Sequence, residues 1–200
     1  QLMGTHFNNG EHEAAKKYID LGLNIVNEVK EVNKRNMNPF VFKAETVALL
    51  QKIQFMSDHW EQDEIKDINN IIHYSIFDLD VNMDGLSDQW GIYDPILLNA
   101  SIIENSMGIK VSGRSFIYSQ PHIKLEKGKT YQIDVKLKDP IEYITYHIAG
   151  ITPKAQPLNQ ENGIYSVELL VENEPIGNDN QISLTFETSC VIESIIIKEK

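Results

Sequence analysis

The period of the hydrophobic residues changes once along this chain, and the change falls on a single acidic stretch, DLDVNMDGLSDQW at residues 78–90. Before it, apolar side chains recur at threes and fours, the period of a one-faced helix. After it they alternate, the period of a strand with one face buried. Helices followed by strands, with no regular interleaving, predict an α+β chain rather than a parallel α/β one. The expected division is a helical segment over 1–77, a loop or linker over 78–94, and a C-terminal antiparallel β-sandwich over 95–200.

Residues 1–8 are expected to fray. Over 11–36 the residues Ala15, Tyr18, Ile19, Gly22, Ile25, Val26, Val29 and Val32 mark an inward face, with Lys16, Lys17, Asp20, Glu28 and Lys30 largely opposite. Asn38-Pro39 interrupts the pattern. A second helix fits 43–56, with Val47, Leu50, Ile53 and Phe42 inward. Asp58 followed three residues later by Glu61 is a capping-box pattern and predicts a third helix running to about Ile72. A unit of about three helices and roughly 70 residues is marginal alone and gains stability by docking on a neighbour.

The acidic stretch has the chemistry of a hard-cation site. Asp78, Asp80, Asn82, Asp84 and Asp88 bring five oxygen-bearing side chains together, and four carboxylates this close repel one another unless a divalent ion is held between them. With Asp80 as position one, Asn82 falls at three, Asp84 at five, Gly85 at six, Leu86 at seven, where a backbone carbonyl serves, and Asp88 at nine. That is the register of an EF-type calcium loop, with the glycine at the sharp turn. Position twelve, usually acidic, is Gly91, and the missing oxygen is expected from Asp78 rather than Asp94. The words DxNxDGLSD resemble the calcium loops of dockerins and thrombospondin type 3 repeats. Loops of this kind work at millimolar calcium, which points to a secreted or cell-surface location.

The C-terminal half offers short alternating segments: MGIKVSG, RSFIYS, HIKLEKGKTYQIDVKLKD, IEYITYHIAG, GIYSVELLVE, QISLTFET and CVIESIIIKEK. Glycines and prolines punctuate them, as in an antiparallel sandwich. In 131–137, Tyr131, Ile133, Val135 and Leu137 share one face and Gln132, Asp134 and Lys136 the other. Residues 151–163 are too polar and proline-rich for a strand and are expected to be a rim loop.

The run IKLEKGKTYQIDVKLKD resembles the strand pair joined by a glycine-lysine turn in carbohydrate-binding modules of families 4 and 9 and related galactose-binding-like jelly rolls. MGIKVSGRSFIYSQPHIKL and VIESIIIKEK are similar to flanking strands of that family, so the resemblance spans about 95–200. It implies a jelly-roll sandwich that binds polysaccharide on a sheet face or at the loop rim, aromatic rings stacking on pyranose faces and polar groups bonding hydroxyls. The residues it offers are Trp90, Tyr93, Tyr118, Tyr143 and Tyr146, with Gln120 and His122 as polar partners. Packing alone also favours tyrosine in strands, so each of these rings has a core role as its competing explanation.

Charge and composition exclude much else. A net charge of −11 disfavours nucleic-acid and anionic-membrane partners. No run approaches the roughly 20 apolar residues of a membrane span. Cys190 is the only cysteine and sits in an alternating apolar run, where a buried structural thiol is expected. His6, His12, His59 and His73 have no metal-ligand spacing and read as surface or satisfied side chains, with zinc the weaker option. No nucleophile elbow, phosphate loop, HExxH or dinucleotide fingerprint occurs. No signal peptide is visible and the chain opens at Gln1, so a mature or excised fragment of a longer protein is expected. The reading is a non-catalytic, calcium-stabilised carbohydrate-binding region of a larger secreted polysaccharide-acting protein, with a preceding catalytic domain. The alternatives are a structural spacer or protein-interaction module, and part of a glycan-processing hydrolase or deacetylase whose catalytic domain includes the helices.

Overall fold

Helices form where the 3.6-residue period predicts them: α1 (His12–Asn36) and α2 (Ala44–Asp58). The structure is a computed structural model and describes residues 10–36, 44–60, 68, 70–80, 85–87, 89–119, 123–175 and 180–200. Ala15 and Ile19 of α1 are buried, and Gly22 lets the helices approach, since a Cβ there would meet Ile53 Cδ1 of α2 at 3.2 Å. Tyr18 and Ile25, expected on the same inward face, are exposed. Among the described side chains the contact stripe is therefore narrower than the sequence pattern; those of Val26, Val29 and Val32 lie outside the described ones. No helix among the described residues is long and apolar enough to cross a membrane.

The expected third helix does not extend to Ile72. Ile71–Tyr74 is instead a strand, β1, and Asp58 belongs to the end of α2; residues 61–67 lie outside the described residues. The Asp58 carboxylate is engaged within the described residues. Gln54 Nε2 donates to Oδ1 at 3.0 Å and the Tyr74 hydroxyl to Oδ2 at 2.8 Å. Pairing with a long neighbouring strand outweighs the local helical pattern of Ile71 and Ile72.

Among the described residues the chain then forms eleven further strands: β2 (Trp90–Ile92), β3 (Leu98–Ile103), β4 (Ser106–Val111), β5 (Ser115–Ser119), β6 (Thr130–Leu137), β7 (Thr145–Ile148), β8 (Gln156–Pro157), β9 (Asn159–Glu161), β10 (Ile164–Leu170), β11 (Ile182–Phe186) and β12 (Cys190–Glu199). They form two antiparallel sheets. The first runs β3-β4-β12-β6-β10-β9, with β1 also on β12; the second runs β2-β5-β11-β7-β8. Alternation sends one set of side chains from each sheet into a shared core: Tyr131, Ile133, Val135 and Leu137 from the first, Ile117, Tyr146, Ile182, Leu184 and Phe186 from the second.

Two expected boundaries move. The sheets take β1 and β2 from stretches assigned to the helical segment and the linker, and Phe77 lies in the sandwich core. The sandwich thus reaches back to Ile71, and the acidic stretch is a connection inside it rather than a hinge before it. Residues 151–163 contain β8 and β9, short strands at the two sheet edges, where a proline such as Pro157 costs no ladder bond on its open side.

A buried polar chain ties the helices to this sandwich. Gln51 of α2 donates from Nε2 to His73 Nδ1 at 3.2 Å, so the ring proton sits on Nε2 and faces Ser75 Oγ at 3.1 Å. Trp90 of β2 donates its indole N–H to the same hydroxyl at 3.2 Å and meets the imidazole edge to face. Gln89 Oε1 accepts the Ile76 N–H at 2.6 Å, and Ser87 Oγ donates to the Ile76 carbonyl.

Burial lowers the pKa of His73 from 6.5 to about 4. Above pH 6.5 the ring is neutral in both folded and unfolded chains. As the pH falls from there the unfolded chain binds a proton that the folded one refuses, so stability drops until about pH 4, by roughly 3 kcal/mol in all. Melting temperature measured across that window should fall more steeply in the native chain than in His73→Phe. Parallel profiles would contradict the assignment.

Candidate functional site

The second sheet presents its other face outward, and the strand registers show what stands on it. Residues directly opposite in antiparallel strands point the same way. Gly91, Tyr118, Ser183 and His147 form one row across β2, β5, β11 and β7. Phe116, Thr185 and Thr145 form the next, with Tyr93 beside Phe116. Two residues further along each chain lie Arg114, Glu187 and Tyr143. Their inward neighbours Ser115, Ile117, Leu184, Phe186, Ile144 and Tyr146 are all buried, which fixes the phase.

Aromatic rings flank the polar centre of this face. Tyr93, 68% exposed, bonds its N–H to the Phe116 carbonyl at 3.1 Å and stacks its ring on Phe116, with centroids 4.3 Å apart and an 18° tilt. Tyr118 lies over the backbone of Gly91, where an added Cβ would fall 2.4 Å from the ring Cζ. At the opposite margin Tyr143 is partly exposed, and its hydrogen bond to Glu187 raises its pKa. Glu187 also pairs with Arg114 at 3.4 Å. Between the margins stand Ser183, Thr185 and His147, whose Nδ1 is 2.8 Å from Thr152 Oγ1; the Thr145 hydroxyl is itself buried. Phe116 and Thr145 are two strand spacings apart, about 10 Å. The result is a shallow half-buried surface with rings at its margins and hydroxyls between them.

Of the rings expected to stack on a ligand, Tyr93, Tyr118 and Tyr143 therefore share one face. Trp90 and Tyr146 do not. They are 2% and 1% exposed, on the inner face of the same sheet, and carry core packing instead. Tyr146 has the strand phase of Ile144 and Ile148, so alternation in the sequence already separates it from Tyr143, whereas Trp90 gains the phase of Ile92 only through the pairing of β2 with β5. Phe116, Arg114, His147, Ser183, Thr185 and Glu187 were not singled out by sequence reasoning. Phe116 alone carried a signal, its phase matching that of Tyr118 on either side of Ile117. Gln120 and His122 lie outside the described residues.

The acidic stretch is described in part. Asn82, Asp84 and Asp88 lie outside the described residues. Asp80 Oδ2 accepts the Gly85 N–H at 2.9 Å, and Gly85 has φ +84°, a left-handed turn that favours glycine. The Gly85 carbonyl accepts from Ile102 N of β3 at 2.9 Å. Leu79 packs with Leu50 and Ile76, and Leu86 against the sandwich core, so the stretch is anchored at both ends. Asp94 caps its own turn, accepting from Ile96 N at 2.9 Å and Leu97 N at 3.4 Å. Gly91, at position twelve of the loop, is where the Tyr118 ring needs an absent side chain.

The histidines are dispersed: His12 is edge-on to Trp60, His59 stacks on Phe55 and bonds its carbonyl, and His73 is buried; His6 lies outside the described residues. Burial raises the Cys190 thiol to about 12, which keeps it protonated at neutral pH.

No family model and no curated protein matches the chain. Among solved structures it is similar to "BiXyn10A CBM1 APO", at 11% identity over 64% of this chain and 98% of that one, with a TM-score of 0.43. It is also similar to a structure described as "CBM4 structure and function", at 14% identity over 56% of this chain and 88% of that one, with a TM-score of 0.35. A third is a family 29 carbohydrate-binding module complexed with cellulohexaose, at 10% identity over 64% of this chain and 90% of that one, with a TM-score of 0.37.

Gly91→Ala tests the ring platform directly. The new methyl group should drive the Tyr118 ring off β2 at a cost of about 1 kcal/mol, visible as altered ring contacts in a nuclear Overhauser spectrum with the sheet pattern intact. An unmoved ring would refute the close approach.

Proposed function

We propose that this chain is a non-catalytic carbohydrate-binding module that holds a polysaccharide on the outward face of the β2-β5-β11-β7-β8 sheet. The observation that carries the reading is the gathering of Tyr93 on Phe116, Tyr118 and Tyr143 on one face, with Ser183, Thr185 and His147 between them. Pyranose rings have apolar faces and polar edges; rings of this kind take the faces and the hydroxyls and imidazole take the edges. Trp90 and Tyr146 have no part in it, being structural. In this reading the sandwich is of the jelly-roll class. The region serves as an accessory to a larger secreted polysaccharide-acting protein, outside the cytosol and after a catalytic domain.

Calcium is the proposed structural ion. Asp78, Asp80, Asn82, Asp84, the Leu86 carbonyl and Asp88 would hold it, and the Gly85 turn closed on Asp80 supports that register. When bound, the ion neutralises the carboxylates and fixes the connection between β1 and β2. The chain itself supplies the anchors, Leu79 on the helical side and Leu86 on the sandwich side.

Screened on a glycan array, the native chain should bind at least one polysaccharide. Tyr93→Ala and Tyr118→Ala should each weaken that binding about tenfold, a loss typical of one stacking ring, while Tyr18→Ala on α1 leaves it unchanged. Equal affinity in all four proteins would refute the site. Separately, millimolar calcium should raise the melting temperature by on the order of 5 °C over chelator. The increment should vanish in the Asp80→Ala, Asp84→Ala double variant; a melt indifferent to calcium would rule the ion out.

A further inference from the structure

A second recess lies on the other side of the sandwich, where the helices meet the first sheet. It has a volume of about 460 Å³ and is bounded by α1, α2, the end of β1, the β3–β4 turn and β12. We propose that this cleft is a second, independent saccharide site that takes an uncharged sugar unit.

The chain departs from regular geometry to build it. β12 carries an irregularity between Ile192 and Ser194, so its buried positions run Ile192, Ile195, Ile197 and Glu193 is turned outward into the cleft. Lys136 holds Glu193 there, Nζ to Oε2 at 3.1 Å. Glu104 takes a left-handed φ of 55° in the β3–β4 turn, and the next two residues, Asn105 and Ser106, line the recess. Asp58 is held by Gln54 and Tyr74, so that wall is set before any ligand arrives.

The lining selects a class of ligand. Asp58 and Glu193 face it with Lys136 beside them, in a chain of net charge −11, so uronates, sulfates and phosphates are repelled. Both oxygens of Asp58 and one of Glu193 are already satisfied, which leaves little for an ammonium ion. The side chains of Asn27, Asn105 and Ser106 line the same recess with no hydrogen-bond partner among the described residues. Amides and a hydroxyl both donate and accept, as sugar hydroxyls do. The recess shares no residue with the aromatic face and opens on the opposite side of the sandwich, so each molecule would engage two glycan segments.

The test is an amide-resolved NMR titration of the full chain with gluco-, manno- and xylo-oligosaccharides, and with digalacturonate. A neutral oligosaccharide should shift the Asn27, Asn105 and Ser106 amides and digalacturonate should not. Asn27→Ala with Asn105→Ala, both at exposed positions, should weaken that response at least about fivefold, whereas Tyr93→Ala should leave it intact. The site is refuted if no neutral member shifts these amides, if digalacturonate shifts them equally, or if the double variant responds like the native chain. Loss of array binding in Tyr93→Ala with the cleft response retained would show that the two sites stand or fall separately.

Discussion

Backbone pairing along β12 is the constraint on which the remainder of the molecule rests. One edge of this strand bonds to β6 for nearly its whole length, and the other is shared by β4 and then β1. A straight strand with strict alternation would not serve both. The irregularity at Glu193 bends it between the two partners, so that Ile192, Ile195 and Ile197 all remain buried. Each such isoleucine contributes about 1.5–3 kcal/mol of burial, and the same strand that closes the core therefore recruits the segment joining helices to sandwich.

That segment explains why the helices are more than an appendage. Gln51, His73, Ser75 and Trp90 form one buried hydrogen-bonded chain from α2 to the second sheet's edge strand. Removing a member would leave a desolvated partner, which costs more than the bond itself contributes. The indole of Trp90 is thereby committed to structure, and surface chemistry falls to tyrosines and Phe116.

The functional consequence is a division of labour between the two sheets. The second keeps an outward surface of rings and hydroxyls at β2, β5, β11 and β7. The first is partly roofed by the helices, and its irregularities at Glu104 and Glu193 open a polar recess beneath them. Gly91 joins the edge strand to the aromatic face: with no side chain there, the Tyr118 ring lies against the sheet.

The sequence alone determined the two helices, the seven long segments of the C-terminal half and the inward phase of Tyr131, Ile133, Val135 and Leu137, because period is a local property fixed by backbone geometry. The parity of Ile144 and Ile148 puts Tyr146 inward and Tyr143 outward, although both rings were expected to stack on a ligand. Only the tertiary structure decided that Ile71–Tyr74 is a strand, that Trp90 is spent in the core, and that Tyr93, Tyr118 and Tyr143 converge. Those outcomes depend on which strands become neighbours. Neighbours are chosen by pairing between residues more than a hundred positions apart, as Tyr74 with Ile196, an energy that no local window contains.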